Sequence, residues 1–190
     1  MTPNAAFEAL RSQAPLVHCI TNYVAMNIAA NVALAAGASP AMIHAPEEVA
    51  DFVPVAGALT INIGTLSAPW MTGMTKAAQA AKAADIPWGL DPGAHFATPY
   101  RSTVVQNLVG LKPSIIRGNA SEIIALAGGD GAGKGVDTGD SVADAQMSAR
   151  KLANDHGCVV AVSGAKDFVT DGTRGAHVRG GAALMPKVTA

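Results

Sequence analysis

The sequence at residues 16–43 reads LVHCITNYVAMNIAANVALAAGASPAMI, and its hydrophobic period changes twice. LVHCI (16–20) and AMI (41–43) are short apolar runs without clean alternation, as expected for strands covered on both faces. Between them, apolar residues recur along one helix face: Val24, Ile28, Val32 and Ala35. Gly37 then supplies a helix stop. The stretch therefore predicts a strand, a helix and a second strand.

The same alternation continues along the rest of the chain. Four further apolar runs have strand length: 58–63, 88–90, 114–116 and 158–162. Helical patterns separate them, one at 69–84 and another that starts with a capping box at Ser141 and Asp144 and ends at Gly157. A hairpin is expected at 168–178. This order predicts an α/β fold with a mostly parallel sheet, and we expect a single domain over residues 1–190.

The composition excludes several classes of protein. The 13 basic and 14 acidic residues give a net charge of −1, whereas a nucleic-acid-binding surface normally shows a basic excess. Hydrophobic residues make up 49 %, which is ordinary for a globular chain. No apolar run approaches the roughly 20 residues of a membrane span. We therefore expect neither a nucleic-acid nor a membrane partner.

Low surface charge indicates self-association. Only 14 % of the residues are charged, against about 25 % in an average protein. A polar stripe of Tyr23, Asn27 and Asn31 lies opposite the apolar face of the first predicted helix, and it is either solvated or a subunit contact. We expect the chain to form an oligomer.

The cysteines and histidines point to an intracellular protein without a zinc site. Cys19 and Cys158 lie in or beside predicted strands, and free buried thiols are typical of a cytoplasmic protein. No secretory signal is visible in the first residues. The five histidines include no pair at zinc-ligand spacing.

Polar residues follow the predicted strands one after another. Ligands of open parallel sheets bind beyond the carboxyl ends of the strands. The candidate site residues at those ends are Asn22, Met42, Asp91, Arg117 and Ser163. The Asp91 carboxylate suits a hard cation such as magnesium, and the planar fork of Arg117 suits a phosphate. Ser163 and the following glycine could offer a hydroxyl and an amide to the same anion.

Each candidate also has a purely structural interpretation. Asp91, in an Asp-Pro pair, could start a turn. Glu122, three residues after Asn119, could close a capping box while also facing a metal-bound water. Arg117 could form an exposed ion pair, and Met42 could pack in the core. The residues alone leave both interpretations open.

One stretch partly matches the sequence motif of a phosphate-binding loop. Residues 128–134 read GGDGAGK, but Gly135 follows where a serine or threonine would hold magnesium. The stretch also follows a helical pattern, whereas a phosphate loop follows a strand. We interpret it as a surface loop.

Five blocks of the sequence resemble the hydroxyethylthiazole kinase family: VHCITNYVAMNIAANVALAAGASPAM (17–42), ALTINIGTL (58–66), GLDP (89–92), KPSIIRGNASEI (112–123) and VVAVSGAKDFVTDG (159–172). The resemblance covers residues 16–190. It implies a ribokinase-like, three-layer α/β/α fold whose C-terminal part is missing here, and a homotrimer with active sites between subunits. The implied reaction transfers the γ-phosphoryl group of ATP to the alcohol of 4-methyl-5-(2-hydroxyethyl)thiazole, in thiamine biosynthesis or salvage.

The resemblance also implies residue roles in binding ATP and metal. Arg117 and Ser163 would bind ATP, while Asp91 and Glu122 would hold Mg²⁺. This set is chemically consistent, because phosphoryl transfer needs cations that offset charge, and an aligned alcohol, more than it needs covalent chemistry.

On the substrate side, the resemblance implies that Met42 contacts the thiazole with Asn22 close by. Ala190 falls at the position whose backbone meets the substrate. The family's Gly-x-Gly-Cys loop, with its cysteine base, would begin after Ala190. We therefore expect no catalytic residue among the 190, and we expect these residues alone to be inactive, since losing a positioned base costs about 10²–10⁴ in rate.

One block departs from the family. After the aspartate-proline pair the family has a glycine-rich stretch, whereas this chain reads GAHFATPYR (93–101). His95 and Phe96 would narrow that part of the site.

Two rival functions stay open from the residues. Another ribokinase-like kinase for a small alcohol, such as the pyrimidine half of thiamine, would share the strand-end site, although Met42 and the HCITN block weigh against it. A non-catalytic binding or assembly module would keep the ligand pocket and the subunit surface without the chemistry. Phosphorylation of a panel of alcohols separates the two kinases, and thiazole binding without turnover identifies the module.

Overall fold

The computed structural model describes residues 2–129 and 141–182. The chain divides into two compact units: the first is Met1–Ile61 with Thr65–Trp88, and the second is Asn62–Gly64 with Gly89–Ala190. Ala190 and most of the phosphate-loop-like stretch, residues 130–134, lie outside the described residues. Within the described ranges, no helix is long and apolar enough to cross a membrane.

The first unit is built from parallel strands joined by helices. Its strands are β1 (Leu16–Ile20), β2 (Ser39–Ala41) and β3 (Ala58–Asn62), of which Asn62 belongs to the second unit. Its helices are α1 (Pro3–Gln13), α2 (Met26–Ala36), α3 (Val49–Phe52) and α4 (Ala68–Ala83), with a 3-10 turn at Val53–Val55. The strand order is β2-β1-β3. Leu16 lies opposite Ser39, and Val17 lies opposite Ala58.

Local sequence explains where α1 begins and where α2 ends. Thr2 Oγ1 accepts a hydrogen bond from Ala5 N at 3.2 Å, and a proline follows in the first turn, where its missing N–H costs nothing. α2 stops at Gly37, as predicted, with φ at +109°, in the left-handed region that glycine tolerates best. A Cβ on Gly37 would also lie 2.7 Å from Arg11 Cγ.

The apolar face of α2 is exposed, although its pattern is that of a core-facing helix. No α2 residue is buried: Val32 and Leu34 are 63 % and 58 % exposed, and Val24, two residues before the helix, is 61 % exposed. The core of the first unit comes instead from β1, β3 and α4: Ile20, Leu59, Ile61, Trp70, Met74, Ala77, Ala78 and Ala81. The helix prediction is confirmed, and its stripe is left uncovered by the described part of the chain.

β2 begins two residues earlier than its apolar pattern predicts. The strand is Ser39–Ala41 rather than 41–43, and it includes Pro40. Proline donates no hydrogen bond, but it is tolerated in an edge strand such as β2. The prediction failed because it followed side-chain hydrophobicity, whereas pairing with β1 sets the strand.

The second unit continues the α/β pattern and ends in a hairpin. Its strands are β4 (Trp88–Asp91, starting one residue before the unit), β5 (Ile115–Asn119), β6 (Val159–Ser163), β7 (Asp167–Thr170) and β8 (Gly175–Val178). Its helices are α5 (Pro99–Gly110), α6 (Ala120–Leu126) and α7 (Val142–His156), with a 3-10 turn at His95–Ala97. The order is β4-β5-β6-β7-β8. β4, β5 and β6 pair in parallel, whereas β7 and β8 are antiparallel.

The predicted limits of α7 are confirmed. Ser141 and Asp144 form the capping box, and Gly157 ends the helix with φ at +65°. By contrast, β5 runs to Asn119, three residues past the predicted end at 116, so Arg117 lies inside the strand. α1 and α5 were not predicted, although each begins with a threonine cap followed by a proline, at Thr2 and Thr98.

Candidate active site

The second unit brings four of the predicted site residues to the carboxyl ends of its parallel strands. Asp91 is the last residue of β4, and Ser163 is the last residue of β6. Arg117 lies in β5, and Glu122 lies in the first turn of α6, directly after β5. Parallel pairing places these strand ends side by side, with Asn119 opposite Ser163.

Asp91 makes two contacts. Its Oδ2 lies 3.5 Å from Arg117 Nη1, and its Oδ1 accepts a hydrogen bond from Gly93 N at 3.1 Å. The turn and the exposed ion pair predicted as structural alternatives are therefore both present. The Arg117 side chain is 60 % exposed, and such surface pairs contribute only about 0–1 kcal/mol to stability. Both side chains are accessible to solvent.

Glu122 is a buried carboxylate held by two backbone amides. Its Oε2 accepts from Asn119 N and its Oε1 accepts from Ala94 N, both at 2.8 Å. The first bond completes the predicted capping box. Burial raises the pKa of Glu122, although the two amides and the Arg117 charge favour the ionised form. Each oxygen keeps the capacity for a further hydrogen bond or a metal-bound water.

Gly118 makes room for this carboxylate. A Cβ at that position would lie 3.0 Å from Glu122 Oε2 and 3.2 Å from Glu122 Cβ. Contacts this short force the neighbouring group to move, so the glycine allows Glu122 to pack against β5.

Ser163 links the ends of β5 and β6 and borders a cavity. Its Oγ donates to Gly118 O at 3.3 Å. The cavity has a volume of about 510 Å³ and is lined by the turn after β6, the start of α7 and His177 of β8. That size is typical of small-molecule sites. The neighbouring Gly164 amide, expected to face an anion, instead donates to Asp167 Oδ1 at 2.9 Å.

Arg101 is also part of this region, although it is not among the residues predicted from the sequence. Its guanidinium donates to Ile63 O at 2.8 Å, Gly64 O at 2.9 Å and Ala94 O at 3.3 Å, and also to Gly93 O. One signal was available: Arg101 lies in the first turn of α5, where the helix dipole disfavours a positive charge. An arginine in such a position indicates a bonding partner outside the helix.

His95 is buried beside this arginine. Only 3 % of the residue is exposed, and its backbone oxygen accepts from Ser102 Oγ at 3.0 Å. Burial, together with the nearby Arg101 charge, lowers the pKa of His95 to about 4. The imidazole is therefore neutral at physiological pH.

The first unit holds Asn22 and Met42, each directly beyond a strand. Asn22 Oδ1 accepts from Val24 N and Ala25 N, both at 2.9 Å, and so turns the chain from β1 towards α2. Met42 is half-buried and follows β2. The adjacent Ile43 O accepts a hydrogen bond from His18 Nε2 at 2.8 Å, which ties this loop to β1.

The carboxylates do not form a complete protein cage for a metal. In the described ranges, no three His, Cys, Asp or Glu side chains group closely enough to hold an ion. Asp91 and Glu122 nevertheless suit Mg²⁺, which usually takes one or two carboxylates and completes its shell with water and substrate phosphates.

A known protein family matches almost the whole chain. Residues 7–190 match the model of the hydroxyethylthiazole kinase family. A hydroxyethylthiazole kinase of Roseobacter denitrificans is 63 % identical over 190 residues, which are 100 % of this chain and 74 % of that protein.

Solved structures show the same likeness. The structure of a hydroxyethylthiazole kinase protein from Pyrococcus horikoshii has 36 % identity and a TM-score of 0.86, over 96 % of this chain and 68 % of that one. A Bacillus subtilis pyridoxal kinase, with 14 % identity and a TM-score of 0.64 over 87 % of this chain and 73 % of that one, shares the fold alone. The chain therefore has the ribokinase-like fold and belongs to the hydroxyethylthiazole kinase family.

Proposed function

We propose that the protein phosphorylates hydroxyethylthiazole with Mg²⁺-bound ATP, and that the second unit holds the nucleotide and the ion. Family membership makes the protein a kinase that acts on hydroxyethylthiazole in thiamine biosynthesis. What we propose beyond this is that the ion is Mg²⁺ and that the residues named below bind it, the nucleotide and the alcohol. One observation carries it: at neighbouring strand ends, Asp91 contacts Arg117, and consecutive amides of one turn donate to Asp91 and to Glu122.

Asp91 and Glu122 are the proposed magnesium residues. Asp91 presents a partly exposed carboxylate, and Glu122 presents a buried one whose two oxygens each accept a single amide hydrogen bond. Asp91 would bind the ion and Glu122 would hold a water of its shell, which would keep both structural bonds of Glu122. Bound magnesium would offset the negative charge of the transferring phosphoryl group.

Arg117 and Ser163 are the proposed nucleotide residues. The exposed guanidinium of Arg117 can turn from Asp91 to a phosphate, where its fork gives two parallel hydrogen bonds. Ser163 lies at the edge of the 510 Å³ cavity, which also includes Lys166. The positive charge of Lys166 at this cavity favours an anionic ligand there.

Met42 and Asn22 are the proposed substrate residues. A half-buried methionine offers a polarisable surface to an aromatic ring such as thiazole. The His18–Ile43 bond keeps the loop that carries Met42 in place. The proposed role of Ala190 falls outside the described residues.

The exposed apolar surface of α2 supports a homotrimer. Val32 and Leu34 of α2, and Tyr23 and Val24 shortly before it, are each more than half exposed, and exposed apolar residues gathered along one element are typical of an interaction surface. The number of subunits rests on the family resemblance. Sedimentation of the Val32→Glu variant tests the interface: we expect dissociation to smaller species, and an unchanged mass would contradict the role of α2.

A cytoplasmic location is part of the same proposal. Cys19 and Cys158 are free and buried, and burial raises the pKa of both thiols. Unpaired thiols are normal in a reducing compartment.

Initial rates with a panel of alcohols test the function. We expect Mg²⁺-dependent ADP release with hydroxyethylthiazole, and a kcat/KM for this alcohol above the values for a thiamine-type pyrimidine alcohol and for simple primary alcohols. A preferred pyrimidine would contradict the substrate. Thiazole binding by the full-length protein without ADP release would instead identify a binding module.

A further inference from the structure

Arg101 has no role in the proposed function, yet its guanidinium joins two segments of the second unit. One segment is residues 63–64, whose carbonyl oxygens accept bonds of 2.9 Å or less from the two terminal nitrogens. The other is the turn that follows β4, where Gly93 O and Ala94 O also accept from the guanidinium. A single side chain thus supplies four hydrogen bonds to carbonyl groups.

The four hydrogen bonds require an arginine rather than another cation. The ion pairs found in residues 2–129 and 141–182 do not include Arg101. Its charge is offset by carbonyl dipoles and by the more distant Glu122 carboxylate, and burial lowers the pKa of the guanidinium. A rigid fork with five N–H donors can reach four carbonyls at once, whereas the three donors of a lysine radiate from one atom.

The braced turn holds both proposed metal carboxylates. Gly93 N donates to Asp91 Oδ1 at 3.1 Å, and Ala94 N donates to Glu122 Oε1 at 2.8 Å. Consecutive amides of one turn therefore contact the two carboxylates.

The turn also has a conformation that needs support. Ala94 has φ at +49°, in the left-handed region that is unfavourable for a residue with a Cβ. The bonds from Arg101 to the Gly93 and Ala94 carbonyls fix this conformation and so aim the Ala94 amide at Glu122.

We propose that Arg101 is a positioning residue that sets the separation of Asp91 and Glu122 through the turn at residues 91–94. The inference rests on the proposed function, since it matters only where these two carboxylates serve the same ion. Residues that orient metal-binding groups typically change metal affinity or activity about 10–100-fold when they are replaced.

The test compares Arg101→Met and Arg101→Lys with the matched control Arg150→Met. Arg150 also braces a turn of the second unit, since its Nη1 donates to Thr173 O at 3.0 Å and Gly172 O at 3.4 Å. That turn makes no bond to Asp91 or Glu122 among the described contacts. Two properties of the full-length protein are measured. Calorimetry of ADP binding over a Mg²⁺ series gives the Mg²⁺ concentration at which binding is half-maximal, and initial rates give kcat and KM.

We expect Arg101→Met to raise the half-saturating Mg²⁺ concentration about 10–100-fold, with a lower kcat and little change in KM for the thiazole alcohol. Arg101→Lys should give a smaller rise. Added guanidinium ion should restore part of the Mg²⁺ affinity to Arg101→Gly. Arg150→Met should lower the unfolding temperature and keep the wild-type Mg²⁺ response.

An unchanged Mg²⁺ response in folded Arg101→Met, or an equal rise in Arg150→Met, would overturn the inference. Where circular dichroism shows that Arg101→Met is unfolded, a folded Arg101→Lys with wild-type Mg²⁺ affinity would overturn it as well. A wild-type protein that neither binds Mg²⁺-ADP nor phosphorylates the alcohol would refute the proposed function itself, and the inference with it.

Discussion

The turn after β4 and the turn between β7 and β8 are both braced by an arginine, but their internal bonding differs. In the hairpin turn, Asp171 Oδ1 accepts from Thr173 N at 3.1 Å and from Arg174 N at 2.7 Å, and its Oδ2 accepts from Arg174 Nε at 2.8 Å. These bonds, those from Arg174 above all, lower the pKa of Asp171. Residues 171–174 thus supply most of the hydrogen bonds that hold this turn.

The turn after β4 depends on distant residues instead. Asp91 and Gly93 make one local bond, but Glu122 and Arg101 supply the rest from two separate helices. Its left-handed positions include an alanine at 94, whereas Gly172 takes the left-handed position of the hairpin turn. A turn built from its own sequence is a stable connection, and one built by remote side chains can place functional groups.

The largest expected effect is that of Asp91→Asn. An amide oxygen can still accept from Gly93 N, so the turn should persist, while the charge that we propose faces the ion is lost. We expect kcat/KM to fall about 10²–10³-fold, as for loss of one group that stabilises developing charge. Rates over a Mg²⁺ series measure this effect. An unchanged Mg²⁺ response would return Asp91 to a turn-forming role alone.

Glu122→Gln should have the next largest effect and should show it in the pH profile. Burial raises the pKa of Glu122, so in the wild type the ionised form is lost, as pH falls, at a higher pH than for an ordinary glutamate. Magnesium affinity should fall with it. In the variant this acid-dependent loss should disappear, and Mg²⁺ affinity should be about 10–100-fold weaker at neutral pH. If the variant loses Mg²⁺ affinity at low pH as the wild type does, another group causes that loss.

Gly172→Ala should affect stability without affecting the ion. Gly172 has φ at +95°, and a Cβ there would overlap the Asn154 side-chain amide. We expect the free energy of unfolding to fall by about 1–3 kcal/mol, measured by urea denaturation, with unchanged Mg²⁺ half-saturation. A parallel loss of Mg²⁺ affinity would show that the two turns are coupled.

The smallest effect is expected for His95→Gln, read in the pH dependence of stability. The pKa of His95 is lowered from 6.5 to about 4 in the folded protein, so between these values the unfolded chain binds the proton and the folded chain does not. Stability from this group is therefore present above pH 6.5 and is lost as pH falls towards 4. The variant should lose less stability between pH 7 and 5 than the wild type does. The exposed His177→Gln is the control, and an equal reduction there would contradict the assignment.

Features that depend on neighbouring residues were predictable from the sequence. The capping box at Ser141, the stop at Gly157 and the hairpin near Asp171 follow from local hydrogen bonding and backbone freedom. The convergence of Asp91 and Arg117 was also predictable, because the carboxyl ends of parallel strands lie at one edge.

Features set by distant partners were not predictable. Arg101 acts on carbonyl oxygens, which every residue has, so its partners at residues 63–64 carry no sequence signal. The exposure of Val32 was missed because an apolar helix face does not reveal whether its own chain covers it. The start of β2 was not predicted because the strand includes Pro40 and an edge strand can pair without an apolar run.

The hydrogen atom in place of a side chain at Gly118 makes this position a sensitive point for natural variation. A methyl group there would come within 3.0 Å of Glu122 Oε2, so the carboxylate or the start of α6 would have to shift. A Gly118→Ala allele would therefore alter the acidic pair without changing any ionisable residue. The enzyme from such an allele would be expected to match the wild type at saturating Mg²⁺ and to lose activity first when Mg²⁺ is limiting.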